Sequence, residues 1–492
     1  MQTLNTTAFL AALCCCATLH AQQHDAVWPF GFHEYPGQGA YGNAALRFES
    51  SGATTAPLDW VLNFDNTSAA ICDAEGKLLF ATNGCVVVNA QGDTIRSAGG
   101  AQAINTGVVH DLVCADIGYP VPQGVLILPM PGNDQRFGVF HLGAQYDVEQ
   151  KWTFSPLYLT IVDMAANGGQ GQLVEVNTDM GVANMGIDAL SAVRHGNGRD
   201  WWLLVPLRNN NVYVRFLFRP GEVLTYPFQQ IGPIANCPRN GSCVFSPDGS
   251  KFARTQNCRT VVFDFDRCTG TLSNPVEMQR PDYVFGGGGV AFSPSGKQLF
   301  VTEQLAVLTA NLKDAAPVLD TLVPSESTIG VSLGLLQAGP DGRLYANSTH
   351  RSRYMASFNQ TDDLSNLDFR SKGIFLGKYS SRTLPQFPNY RLLDLPGSPC
   401  DTLGINPVTE AWVGATPQIR PNPAQDILYL DLPTPEHMAS VQLTDALGRV
   451  VYSSDQWMPS ISLVHLPEGV YYLMIQQQAR GAVFSEKVVV RR

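Results

Sequence analysis

A short phrase recurs along most of this chain: a few apolar residues, a polar turn ending in glycine, then a second apolar run. It stands at Ser68 to Gly76 followed by Lys77 to Phe80, and again around Gly198 followed by Trp201 to Leu204. The clearest copies are Val244-Phe-Ser-Pro-Asp-Gly249 before Lys251 and Phe252, and Ala291-Phe-Ser-Pro-Ser-Gly296 before Gln298 to Val301. Leu336 to Gly342 before Arg343 to Tyr345 is another, and Gly124 to Leu128, Pro131 to Asp134 and Phe137 to Phe140 form a divergent one. In such a turn Pro presets φ and Gly supplies the positive φ that a Cβ resists, so the chain reverses tightly between two strands.

The intervals set the architecture. Gly198 to Gly249 is 51 residues, Gly249 to Gly296 is 47 and Gly296 to Gly342 is 46. A period of about 45 to 50 residues built from short strands matches one four-stranded β-propeller blade. The 122 residues between Gly76 and Gly198 leave room for two or more intervals. Six units are visible. A closing unit is expected from the two ends of the body, Leu384 to Tyr390 together with the early strands near Trp28 to Phe32. Seven blades are the expectation, with six or eight as the alternatives.

After Leu395 the pattern changes. Residues 396–417 carry Pro and Gly without a repeat and read as a linker. Strand candidates then follow closely: Ile427 to Leu432, Ser440 to Leu443, Val450 to Tyr452, Ser460 to Leu466, Val470 to Ile475 and Glu486 to Val490. Val441 and Leu443, like Ile461 and Leu463, alternate with period two, and Ala446 to Arg449 reads as a hairpin turn. The fold class is therefore all-β: a propeller over residues 24–395, then a small Ig-like β-sandwich over 418–492.

The first 21 residues read differently. Ala8 to Ala17 is a short apolar run of signal-peptide length, below the roughly 20 residues of a membrane span. Cleavage after Ala21 would leave Gln22, or its cyclised form, at the mature end. Against the usual pattern, the first basic residue is Arg47 and Leu19 stands three places before the cut. Cys14, Cys15 and Cys16 invite a lipoprotein reading, but Leu13 stands where a small residue is expected. Nothing else in the chain is long and apolar enough to cross a membrane as a helix.

Eight cysteines remain beyond this segment, an even number that allows disulfides in an exported chain. Cys237, Cys243, Cys258 and Cys268 lie close together and are the candidates for one or two local bridges. Their gaps contain no two C-x-x-C pairs, which argues against structural zinc. A net charge of -10 with scattered basic residues leaves no footprint for nucleic acid.

The Phe-Ser-Pro-Asp-Gly and Phe-Ser-Pro-Ser-Gly phrases resemble those of WD-like and YVTN-type propellers. Trp28 to Gly31, Asp73 to Phe80 with Thr82 to Gly84, and Phe263 to Gly270 resemble phrases of secreted Bacteroidetes propellers. That resemblance implies no particular activity. The end of the chain resembles the type A C-terminal sorting domain of the Bacteroidetes type IX secretion system. The resemblance lies in Pro421-Asn422-Pro423, in Asp445 to Arg449 with Gly448, in Leu466 to Tyr472 with Gly469, Val470 and Tyr471, and in Lys487 to Val490. Arg420 departs from the aromatic usual before the Pro-Asn-Pro. The resemblance implies recognition by the outer-membrane translocon, often with cleavage and attachment to surface lipopolysaccharide. The protein is thus expected to pass the periplasm and outer membrane, to the cell surface or beyond.

Catalytic signals are sparse. Gly330-Val-Ser-Leu-Gly334 fits a nucleophile elbow, but the stretch after Ser332 reads as a strand rather than the required helix. His33, His110, His141, His195 and His350 are scattered, without a paired metal-binding spacing. Asp264 and Asp266 alternate on one strand face, too few oxygen ligands for a calcium loop. Gly286 to Gly289 lacks the strand–loop–helix setting of a nucleotide site. No catalytic residue, cofactor or metal is assigned. The leading expectation is a binding module for a surface glycan or protein. A lactonase-like propeller hydrolase with carboxylates at the central channel, and a structural spacer in a surface layer, are the alternatives.

Overall fold

The structure, a computed structural model, describes residues 22–33, 39–49, 52–146, 152–186, 190–234, 241–256, 259–279, 288–323, 332–401, 418–431, 438–445, 450–454, 456, 458–477 and 483–492. Two compact units divide between Asp394 and Leu395.

In the first unit the strands form seven antiparallel sheets, each a simple meander of consecutive strands. Blade 1 has three strands, Val27–Phe32, Gly42–Glu49 and Gly52–Leu58, and blade 2 has Ala69–Cys72, Leu78–Thr82 and Val87–Asn89. Blades 3 to 7 have four strands each and begin with Val125–Pro129, Ser191–Arg194, Ser242–Phe245, Gly289–Phe292 and Leu333–Ala338. These first strands neighbour one another around the ring and line its centre. Ser191–Arg194 and Gly289–Phe292 are wholly buried, whereas the outermost strand of blade 4, Glu222–Gln230, alternates toward solvent. Burial on both faces selects a continuous apolar run such as Gly289-Val-Ala-Phe292, and where Ser191 and Arg194 are buried instead, Arg194 makes hydrogen bonds.

The ring expected from the repeat spacing is present, with seven blades among the described residues. The six glycine-ended turns fall in blades 2 to 7, each linking the innermost strand to the second. Gly249 shows why the residue is needed. Its φ is +72°, and a Cβ there would lie 2.7 Å from Val193 Cγ2 and 2.8 Å from Arg267 Cδ.

Closure differs from the expectation. Blade 1 is built entirely from N-terminal strands, including Val27–Phe32, and Leu384 to Tyr390 form no strand. Pro385 and Pro388 each lack the N–H that a sheet ladder uses, and two such gaps in seven residues disfavour a strand here. Blade 7 instead packs its last strand, Asp368–Ser380, against blade 1. Tyr379 N donates to Ala40 O at 2.9 Å, and Lys378 Nζ donates to the Gly39 and Tyr41 carbonyls at 2.8 and 2.9 Å. The rings of Trp28, Phe48 and Tyr345 interlock across the seam, with centroids 4.8 to 5.7 Å apart.

The second unit has one sheet of Gln418–Arg420, Ile427–Asp431 and Ser460–Ser462. Its other sheet holds Val450–Ser454, Met438–Asp445, Gly469–Gln477 and Val483–Val490. Leu428, Leu430 and Ile461 from the first sheet share a buried core with Val441, Leu443, Leu473 and Val488 from the second. The turn holding Gly448 lies outside the described residues, as do residues 1–21 with Ala21 and most of the linker, 402–417. No helix among the described residues is long and apolar enough to cross a membrane.

Candidate functional site

The centre of a propeller is where side chains from distant blades can converge, and here the chain itself occupies it. After its last blade strand the polypeptide runs through the channel from Ser381 to Arg391. Leu384 and Tyr390 are each 1% exposed. Polar groups freed by the absence of a ladder are satisfied by the blades. Asn347 Nδ2 of blade 7 donates to Ser381 O at 2.9 Å, and Phe387 N donates to Gln337 Oε1 of the same blade at 3.3 Å. Gln386 Nε2 donates to Cys243 O of blade 5 at 3.2 Å, and Asn389 Nδ2 to Pro247 O at 2.7 Å. Tyr390 Oη donates to Ile127 O of blade 3 at 2.7 Å. Phe387 packs against Trp28 of blade 1, and Tyr390 stands edge-on to Trp201 of blade 4.

Burying Leu384, Phe387 and Tyr390 contributes about 2 kcal/mol each. What remains of the channel is a cavity of about 30 Å³, room for a single water. Gln123, Ser191, Ser242, Gln337 and Gln386 are among its polar lining, and no carboxylate or histidine is among the described residues that border it.

Two clefts open at the end of the ring where the glycine-ended turns lie. The larger, about 690 Å³, runs across blades 2, 3 and 4, and most of the residues that line it are polar or charged. Asp73, Glu75 and Asp134 bring negative charge to it, and Arg194 and Arg199 positive charge. Arg194 is buried with its guanidinium 4.0 Å from the Trp201 ring centroid, and burial lowers its pKa to about 10. Its Nη2 donates to Gln22 Oε1 at 2.7 Å and its Nη1 to Arg199 O at 2.9 Å. Arg199 in turn donates to Asp200 Oδ1 at 2.7 Å, and burial lowers the His24 pKa at the cleft wall. The smaller cleft, about 320 Å³, is bordered by Phe245, Phe292 and the rings of Pro247, Pro294, Pro340 and Pro388.

The other residues singled out in the sequence are dispersed. Ser332 precedes strand Leu333–Ala338 and hydrogen-bonds the Thr349 hydroxyl at 2.5 Å, so no elbow forms. His33 bonds Asn43 and the Trp60 carbonyl, and His195 Nε2 donates to the Cys268 carbonyl at 3.1 Å. Asp264 pairs with Lys251 at 2.7 Å, while Asp266 caps its own turn by accepting from Cys268 N at 2.8 Å. Cys243 corrects the cysteine expectation: it is a buried thiol in the core shared by blades 4 and 5, on an innermost strand. Cys268 is disulfide-bonded, and Cys237 and Cys258 lie outside the described residues. Cys85 and Cys114, which chain spacing does not single out, form a disulfide with Cα atoms 5.8 Å apart.

In the second unit the motif residues do converge. Asn422, held between Pro421 and Pro423, donates from Nδ2 to Lys487 O at 2.6 Å and accepts from Val489 N at 2.9 Å on Oδ1. Ala424 continues the contact through its N–H to Val489 O at 2.8 Å. The same strand pairs on its other side with the Gly-Val-Tyr segment: Gly469 with Val490, Val470 with Val489, Tyr471 with Val488. Tyr471 is buried and its Oη donates to Pro467 O at 2.8 Å. Three phrases spread over about 70 residues of chain thus meet along one strand, Val483–Val490.

Residues 418–491 match the family of secretion system C-terminal sorting domains. No curated protein matches the chain. Among solved structures, it resembles a protein of Bacteroides uniformis named as a candidate 6-phosphogluconolactonase, at 15% identity and TM-score 0.45, over 71% of this chain and 96% of that one. It also resembles PorZ, a surface component of the type IX secretion system of Porphyromonas gingivalis, at 12% identity and TM-score 0.29, over 92% of this chain and 68% of that one. The Dos1 propeller matches at 10% identity and TM-score 0.38, over 72% of this chain and 83% of that one. The propeller assignment stands on the seven sheets themselves. The chain is a β-propeller that ends in a type IX sorting domain, and it is exported to the cell surface or beyond.

Proposed function

We propose that the exported propeller is a binding module, and that its ligand, a surface glycan or a protein, engages the cleft across blades 2 to 4. The observation that carries this reading is the filled channel. The place where a propeller hydrolase would gather carboxylates holds Leu384, Phe387 and Tyr390, bonded to neutral side chains and backbone. The open cleft lies instead at the turn-bearing end, with both charge signs on loops held by rigid strands.

The test is a glycan-array and host-protein binding screen with the purified protein, repeated with Arg199→Ala and Asp134→Ala. A ligand captured by the parent and lost in either variant supports the proposal. Capture by the parent with no loss in the variants moves the site elsewhere. Turnover of a lactone substrate without any captured ligand would replace the binding reading with the hydrolase one.

A further inference from the structure

Between blades 2 and 3 lies a group that neither the channel, the clefts nor the sorting motif uses. The short helix Val108–Val113 carries His110, and Cys114 follows it four residues on, so both side chains fall on one face of the turn. Cys85 reaches the same place from the loop before strand Val87–Asn89 of blade 2. One ligand atom each from Cys85, His110 and Cys114 lies within 4.8 Å of the others. The imidazole is already oriented. Its Nδ1 is 3.2 Å from Asp111 Oδ1, and its Nε2 is buried with no hydrogen-bond partner. A carboxylate on Nδ1 holds the ring proton there and leaves the lone pair on Nε2, the arrangement that metal-bound histidines use.

We propose that reduction of the Cys85–Cys114 disulfide turns this group into a site for a thiophilic d10 cation, Zn²⁺ or Cu⁺. The two thiolates and His110 Nε2 are the ligands. A dithiol reductant supplies two electrons and two protons and leaves as its own disulfide, while the Cys85–Cys114 S–S bond breaks to two thiols. The cation then displaces both thiol protons to solvent. Soft sulfur and imidazole ligands select these ions over Mg²⁺ or Ca²⁺. Three protein ligands complete a trigonal Cu⁺ site and leave Zn²⁺ one open position. Cys114 and His110 are only partly buried, so the ion has a route in from solvent.

The full chain, with and without prior reduction by a dithiol under anaerobic conditions, is titrated with Zn²⁺ against a chromophoric chelator and with Cu⁺ against bicinchoninate. The reduced protein is expected to bind one equivalent of at least one of the two ions and the oxidised protein none. The two titrations tell which ion the site prefers. Cys85→Ser should abolish binding, and His110→Ala should weaken it by at least about tenfold, the scale of even outer-shell losses. The other cysteines, among them the buried Cys72 and the disulfide-bonded Cys268 and Cys400 that the same reductant can open, remain in both variants, so any binding the variants retain reports the background. As a readout independent of variant folding, the bound ion should raise the melting temperature of the reduced parent. Absence of binding by the reduced parent, or parent-like affinity in both variants, would overturn the site.

Discussion

Arg391 clasps Asp25 in a bidentate ion pair, with Nη1 2.8 Å from Oδ2 and Nη2 2.6 Å from Oδ1, across 366 residues of sequence. The pair joins the segment entering blade 1 to the segment leaving the channel. Among the described residues no sheet of the propeller combines strands from its two ends. Ring closure therefore rests on contacts between neighbouring blades and their flanking segments: this ion pair, the Tyr379 N to Ala40 O bond and the Trp28, Phe48 and Tyr345 seam.

Asp25 is 5% exposed, so removing its partner leaves a buried carboxylate uncompensated. Arg391→Ala should lower unfolding free energy by about 3 to 5 kcal/mol. The double variant Asp25→Asn, Arg391→Gln should lose less, because it leaves no buried charge. Denaturant unfolding of the three proteins checks both statements, and equal losses would contradict the ion-pair account.

Tyr390 tests the channel segment. Tyr390→Phe keeps the packing and removes only the bond to Ile127 O. It should cost about 1 to 2 kcal/mol, while Tyr390→Ala, which also opens a void, should cost about 3 to 5 kcal/mol. Unfolding midpoints measure the two. If Tyr390→Ala costs no more than Tyr390→Phe, the segment does not fill the channel.

Acid should weaken the propeller through His141. The imidazole is fully buried between Asn105 Oδ1 at 2.7 Å and Thr160 Oγ1 at 2.9 Å, and burial pushes its pKa down to about 3 from 6.5. Below pH 6.5 the unfolded side chain gains a proton that the folded one refuses. This contribution is fully present above that pH and falls by about 1.4 kcal/mol per pH unit beneath it. The decline ends near pH 3, where the folded form protonates as well. Burial lowers the pKa of His24 and His195 too, in the same direction. Urea midpoints between about pH 7.5 and 5 should fall in the parent and fall less steeply in His141→Asn.

Much of the ring was legible because one turn chemistry marks it. A Pro or polar residue followed by a positive-φ glycine recurs where an innermost strand meets the second, as at Gly249, Gly296 and Gly342. Blade 1 carries no such phrase, so its position had to be inferred from the count. The apolar run Leu384 to Tyr390 resembles a strand in composition, and its burial in the channel depends on long-range partners such as Gln337 and Ile127 that no local pattern reveals. Two prolines within seven residues were the available sign. The Cys85–Cys114 bridge was hidden for the same reason: its 29-residue separation carries no motif, whereas the cysteines from Cys237 to Cys268 draw attention by proximity alone. In the sorting domain the phrases were readable, but that Asn422 clips the final strand is a property of the folded sheet.

The central claim is that the domain beginning at the Pro421-Asn422-Pro423 clip carries the propeller out of the cell. Deleting residues 421–492 and locating the remaining chain by cell fractionation tests it most directly. The truncated protein should accumulate folded in the periplasm, with its Cys85–Cys114 disulfide formed. Its arrival on the cell surface or in the medium at parental levels would contradict the account.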